Sequence, residues 1–168
     1  MNNRTINILI QGMFLYFLQI LVFNHIEIGP YIKLYPYIAF VLLYPLTENR
    51  FGLFISSFVF GLLIDISAGT GGINAMSMTL CAYLRLPILK FVLGNNDIDY
   101  NNFHLRQIPL DKGLSFIFLM TLMFCLMLYS MSYFSTEYIR SIILKSLLST
   151  FATFFILILG IFTFTKPR

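Results

Sequence analysis

Charge is what this sequence is shortest of. Only 11% of its 168 residues are Asp, Glu, Lys or Arg, against roughly 25% in an ordinary soluble domain, so too little polar material exists to cover a water-facing surface. Cysteine is nearly absent too. Cys81 and Cys125 both fall inside apolar runs, which gives neither a disulfide framework nor metal-ligand spacing, and a small buried thiol is the ordinary reading. Basic residues number 11 for a net charge of +4, yet they are scattered at the ends of apolar runs instead of forming a patch, which argues against nucleic acid. No polar stretch is long enough for a separate soluble domain. His25, Glu27, Asp65 and His104 form no recognised catalytic or metal-binding spacing, which argues against an enzyme, and no cofactor motif is present.

What is abundant is apolar residue, 58% of the chain, with a mean hydropathy of +0.83. An integral membrane protein with one membrane domain over 1–168 follows. Six spans are expected, at about 6–23, 31–46, 51–68, 71–92, 114–134 and 139–164, so the fold class is an all-α, six-helix membrane bundle. The first is read as a retained span because no small-residue cleavage site follows it. Gln11 and Gln19 share nearly one face of it and suit bonding to neighbouring helices. The second is short and contains Pro36 and Pro45, with Tyr31, Tyr35, Tyr37 and Tyr44 placed as interface-seeking residues. In the fourth, Arg85 is expected to snorkel and Pro87 to bend the helix, leaving Pro87 to Leu93 at the surface. In the fifth, Met120, Met123, Met127 and Met131 recur at helical spacing, which reads first as ordinary packing.

The stretch with most to say runs from Gly61 to Ala75. Asp65 closes an apolar run, and a glycine-rich turn leads into the next. A carboxylate in a bilayer is costly and marks a functional candidate; the competing reading is that Asp65, Ser67 or Thr70 caps the following helix. Both stand on the sequence alone. Asn74 and Ala75 are expected beside Asp65. Gly52 with Ser56, and Ser57 with Gly61, are small pairs four apart that permit close helix packing.

Six spans put both termini on one side. If that side is the cytosol it receives Arg4, Arg50, Arg85, Lys90, Arg106, Lys112, Lys166 and Arg168, leaving Lys33, Arg140 and Lys145 outside. Asp65 then faces outward, and a re-entrant hairpin of the second and third runs is the alternative that charge does not test.

Over nearly its full length the sequence resembles the MreD family of rod-shape-determining bacterial membrane proteins. The resemblance is carried by Gly61-x3-Asp65, Gly72-x2-Ala75, then Tyr83, Arg85 and Pro87. Asn24-x-Ile26, Pro36 and Pro45, Glu137, and Ser149 with Thr153 support it. Departures are Asn74 where a His is common, Leu86 between Arg85 and Pro87, and no His pair in the fifth span, so no role of those histidines carries over. The resemblance implies a bundle similar to the S components of vitamin transporters. It also implies a non-enzymatic scaffold in the inner membrane, which binds MreC and through it reaches MreB, RodA and a class B penicillin-binding protein. Gly61, Asp65, Gly72, Asn74, Ala75 and Arg85 are the expected partner-binding or structural motif, with Gly52, Ser56 and Ser57 packing helices. The runner-up is a component that binds a small molecule or lipid precursor, for which Gln11, Gln19, Asp65, Asn74 and Arg85 are the available polar residues.

Overall fold

A chain that leaves water must bond its own backbone groups, and long uncharged runs therefore become helices. In a computed structural model, which describes residues 3–26, 32–45, 50–94, 109–133 and 138–164, five helices are long and apolar enough to cross a bilayer. They are α1 (Asn3–Leu18, prolonged by a π-helical turn Gln19–Phe23), α3 (Arg50–Ala68), α4 (Ile73–Leu93), α5 (Leu110–Tyr133) and α6 (Ile139–Phe164). The protein is an all-α, multi-pass membrane bundle. Glu27, Tyr31, Thr47, Glu48, Asn49, His104, Arg106, Glu137 and Lys166 to Arg168 lie outside the described residues.

The expected second span is not a helix of full length. Between 32 and 45 the chain runs extended to Tyr35, makes a single 3-10 turn at Pro36–Ile38, and continues as the short α2 (Ala39–Leu43). Eight helical residues rise only about 12 Å, well short of the ~30 Å hydrocarbon. Pro36 explains the late start: it lacks an N–H, restricts the residue before it to extended backbone, and suits the first position of a turn.

This broken segment nevertheless carries the chain from one end of the bundle to the other. Gly12 of α1 lies against Phe60 of α3, and Tyr16 further along α1 meets Ser67 further along α3 at 2.7 Å. The two helices are therefore parallel, and whatever joins them must return. Its start lies by Gln19, late in α1, and its end by Gly52, early in α3. Tyr129 of α5 meets Ser149 of α6, while Phe118 meets Phe151 and Phe154, so α5 and α6 are antiparallel. With α4 leading from the Asp65 end to the end where Lys112 of α5 reaches the Leu93 carbonyl, α1 begins and α6 finishes at the same end.

The broken segment is also the centre of the core. Every residue from Leu34 to Leu42 is buried, and Tyr37, Ile38, Val41 and Leu42 are wholly enclosed. Tyr37 stacks edge-on against Phe124 of α5 at 5.4 Å, and Phe40 lies flat on Phe60 of α3 at 4.7 Å. Tyr35, Tyr37 and Tyr44 are thus core residues, not interface markers. α4 also departs from expectation. It continues through Pro87 to Leu93, with Leu89 and Leu93 buried in the bundle, because Pro87 points outward and loses only one backbone bond.

Candidate functional site

Asp65 ends α3 facing the first turn of α4, and its carboxylate is used up there. Oδ1 accepts from Thr70 Oγ1 at 2.5 Å, from the Asn74 backbone N–H at 3.1 Å and from Asn74 Nδ2 at 2.9 Å; Oδ2 accepts from the Ala75 N–H at 2.8 Å. Free N–H groups of a helix start, and the positive end of its dipole, are what a carboxylate satisfies. The capping reading of Asp65 therefore describes the structure, with the cap supplied from across a turn. Gly71 and Gly72 make that turn with φ of +65° and +95°, a left-handed backbone that side chains disfavour.

Gly61 lies one turn earlier on the same face. A Cβ there would come within 2.4 Å of the Ala75 Cα, so the absence of a side chain is what lets α3 and α4 meet. Ser57, four residues before, is fully buried, and Ser56 bonds the Leu53 carbonyl within its own helix. Gly52 sits under the Tyr44 hydroxyl, which would lie 3.1 Å from an added Cβ. The predicted cluster of Gly61, Asp65, Gly72, Asn74 and Ala75 is accordingly a single unit, and it joins α3 to α4 within the chain.

Arg85 does not snorkel. It is 1% exposed and points inward, where Nη2 donates to the carbonyls of Leu42 at 3.1 Å and Tyr44 at 2.5 Å. Those carbonyls lie at the end of α2, where the last C=O groups of a helix take partners from elsewhere. The other end of the broken segment is held in the same manner. Gln19 Nε2 donates to the Leu34 carbonyl at 3.1 Å, Ser149 Oγ accepts from the Lys33 N–H at 3.2 Å, and Thr153 Oγ1 accepts from the Tyr35 N–H at 3.2 Å. Irregular backbone at membrane depth is tolerated only where protein supplies such partners. Gln19, Arg85, Ser149 and Thr153 supply them here.

Above the Asp65 end, a cleft of about 620 Å³ opens between the broken segment, α4 and the α5–α6 pair. Gln19, Lys33, Tyr35, Tyr37, Asn74, Tyr129, Tyr133 and Lys145 line much of it. The Tyr37 hydroxyl donates to Asn74 Oδ1 at 2.5 Å, and Tyr35, Tyr129 and Ser149 form a hydroxyl chain with steps of 3.4 and 2.8 Å. The ammonium of Lys145 lies over the Tyr133 ring at 4.9 Å and bonds its hydroxyl. Of the polar residues expected to line a pocket, Gln19 and Asn74 do so; Asp65 and Arg85 are occupied elsewhere, and Gln11 is not among the lining residues. The tyrosines and lysines were missed. The available signal was the clustering of Tyr35 and Tyr37 just after Lys33, in a run too short to be an ordinary span. His25 is exposed. Among the described residues no group of three His, Cys, Asp or Glu is placed to hold a metal.

In comparisons with known proteins, no family model, no curated protein and no solved structure matches the chain.

Proposed function

We propose that this protein is a non-enzymatic scaffold of the MreD type, an inner-membrane organiser of cell-wall elongation that binds MreC. The observation supporting it most is how the motif residues are used. Gly61, Asp65, Gly72, Ala75, Arg85, Ser149 and Thr153, among the residues by which the sequence resembles that family, serve the bundle itself: the Asp65 carboxylate and one Arg85 nitrogen bond backbone groups. Motif residues used in this way to build shape suit a protein whose product is a surface.

The surface follows from the same contacts. With the small-residue face of α3 closed by α4, its other face presents Phe51, Ile55, Val59 and Ile66, each 48–79% exposed, at the spacing of one helical stripe. A single membrane helix such as that of MreC fits such a stripe by van der Waals packing. The bias of basic residues toward the side that holds both ends supports a cytosolic location for them.

The test is photo-crosslinking in cells, from a reactive residue placed at Ile55 or Ile66 and, for comparison, at Phe155 on α6. Capture of MreC at the α3 positions supports the reading. Absence of MreC at all three, together with normal rod shape when the gene is removed, rejects it.

A further inference from the structure

The cleft at the Asp65 end is not explained by a scaffold, and its chemistry is specific. Gln19 is 2% exposed and lies on its wall. Its orientation is fixed, because the Leu34 carbonyl can only accept and therefore takes the amide N–H. That leaves Gln19 Oε1 buried without a hydrogen-bond partner, which is unfavourable unless a donor arrives. Two lysines, Lys33 and Lys145, line the same cleft, the second bonded to the Tyr133 hydroxyl. Four tyrosines, Tyr35, Tyr37, Tyr129 and Tyr133, complete the wall, the Tyr35 ring set edge-on against those of Tyr37 and Tyr129 and its hydroxyl bonded to that of Tyr129.

We infer that this cleft binds a small anionic group that also carries hydroxyls, a glycerol-phosphate-like head whose phosphate meets Lys33 and Lys145 and whose hydroxyl donates to Gln19 Oε1. The geometry meets each requirement separately. Lysine binds phosphate as a point charge. Tyrosine hydroxyls donate or accept as the ligand turns. An orphaned carbonyl selects a donor over a simple anion, because a site with an unpaired buried acceptor rejects a ligand that cannot fill it. The size also agrees, since ligand clefts span about 300–1,000 Å³. The same head exists on a phospholipid, reaching the cleft from the outer leaflet, and as a free solute.

The experiment uses the full chain in nanodiscs. One arm compares phosphatidylglycerol with phosphatidylcholine discs by native mass spectrometry; the second titrates glycerol 3-phosphate, and separately inorganic phosphate, into phosphatidylcholine discs by calorimetry. Retention of phosphatidylglycerol alone identifies a lipid site. Binding of glycerol 3-phosphate, tighter than phosphate, identifies a solute site. Lys33→Gln with Lys145→Gln should weaken either by about tenfold or more, the scale of a charge-assisted bond. The Lys33→Gln change alone is a fold-preserving check, since it is the Lys33 backbone N–H, not the side chain, that bonds Ser149; it should retain native melting and lose affinity. Equal retention of both lipids with no solute binding, or undiminished binding in the double variant, overturns the inference. Neither outcome bears on capture of a partner helix by α3.

Discussion

Asp65 and Gly61 sit one helical turn apart and fail in different ways when altered. Asp65→Ala strips the acceptor from two backbone N–H groups of α4 and from two side chains, and each buried donor left unpaired costs about 1–3 kcal/mol. Asp65→Asn keeps one oxygen for the Asn74 N–H but turns an amide N–H toward that of Ala75, so its loss should be smaller than that of alanine and still measurable. The order wild type, asparagine, alanine in thermal aggregation in detergent is the expected outcome. At Gly61 the fault is steric. Gly61→Ala puts a methyl within 2.4 Å of backbone, which helices can relieve only by separating, at about 1–3 kcal/mol. Gly160 is the control: nothing lies within 4 Å of its added Cβ, and Gly160→Ala should be neutral or stabilising by about 0.5–1 kcal/mol from helix propensity. Equal behaviour of the two alanine variants would show that α3 and α4 are not closed on Gly61. Much of this was legible in sequence, since a Gly-x3-Asp pair before a glycine turn announces close packing and a cap. What the sequence withheld was direction: whether a carboxylate aims at its own chain's next helix or outward depends on where the turn places it.

The broken segment before α3 shows the opposite balance. Its apolar run and two prolines were visible, and they suggested a short span bracketed by interface tyrosines. Tyrosine, however, is equally at home in a core that offers its hydroxyl a partner, and the partners Asn74 and Tyr129 lie 37 and 94 residues away. Arg85 misled for the same reason. A lone arginine near a helix end usually snorkels, but here the carbonyls ending α2 draw it inward. Such long-range satisfaction leaves no local periodicity to read. It does make a prediction about the element as a whole. Ser149→Ala with Thr153→Ala removes the acceptors for the Lys33 and Tyr35 N–H groups, and should loosen the extended start of the segment without unfolding the long helices. A Val41→Cys probe, buried at 0% exposure in the native fold, should then react with a small permeant maleimide several times faster, while helix content by circular dichroism stays constant. Unchanged reactivity would mean that side-chain packing, not these two hydroxyls, holds the segment.

At the scale of the whole molecule, one short buried return strand of chain sets the parity of the fold. Five long helices alone would leave the termini on opposite sides, and it is the α1–α3 parallel pairing, with the return of 32–45 between them, that brings α1's start and α6's end together. The contacts lead to one arrangement: the Asn24, Lys33 and Tyr138 corner at one end of the bundle, Gly94 and Leu110 at the other. Single cysteines test it directly, because native Cys81 and Cys125 are both 0% exposed and shielded from an impermeant reagent. In intact cells stripped of their outer barrier, Asn24→Cys and Tyr138→Cys should label from outside, whereas Gly94→Cys and Leu110→Cys should label only after lysis. If all four label alike from the outer side, the return segment does not cross. If Gly94→Cys and Leu110→Cys label from outside while Asn24→Cys and Tyr138→Cys do not, the bundle is right and its orientation inverted, and the cleft between Lys33 and Lys145 would then draw its ligand from the cytosol.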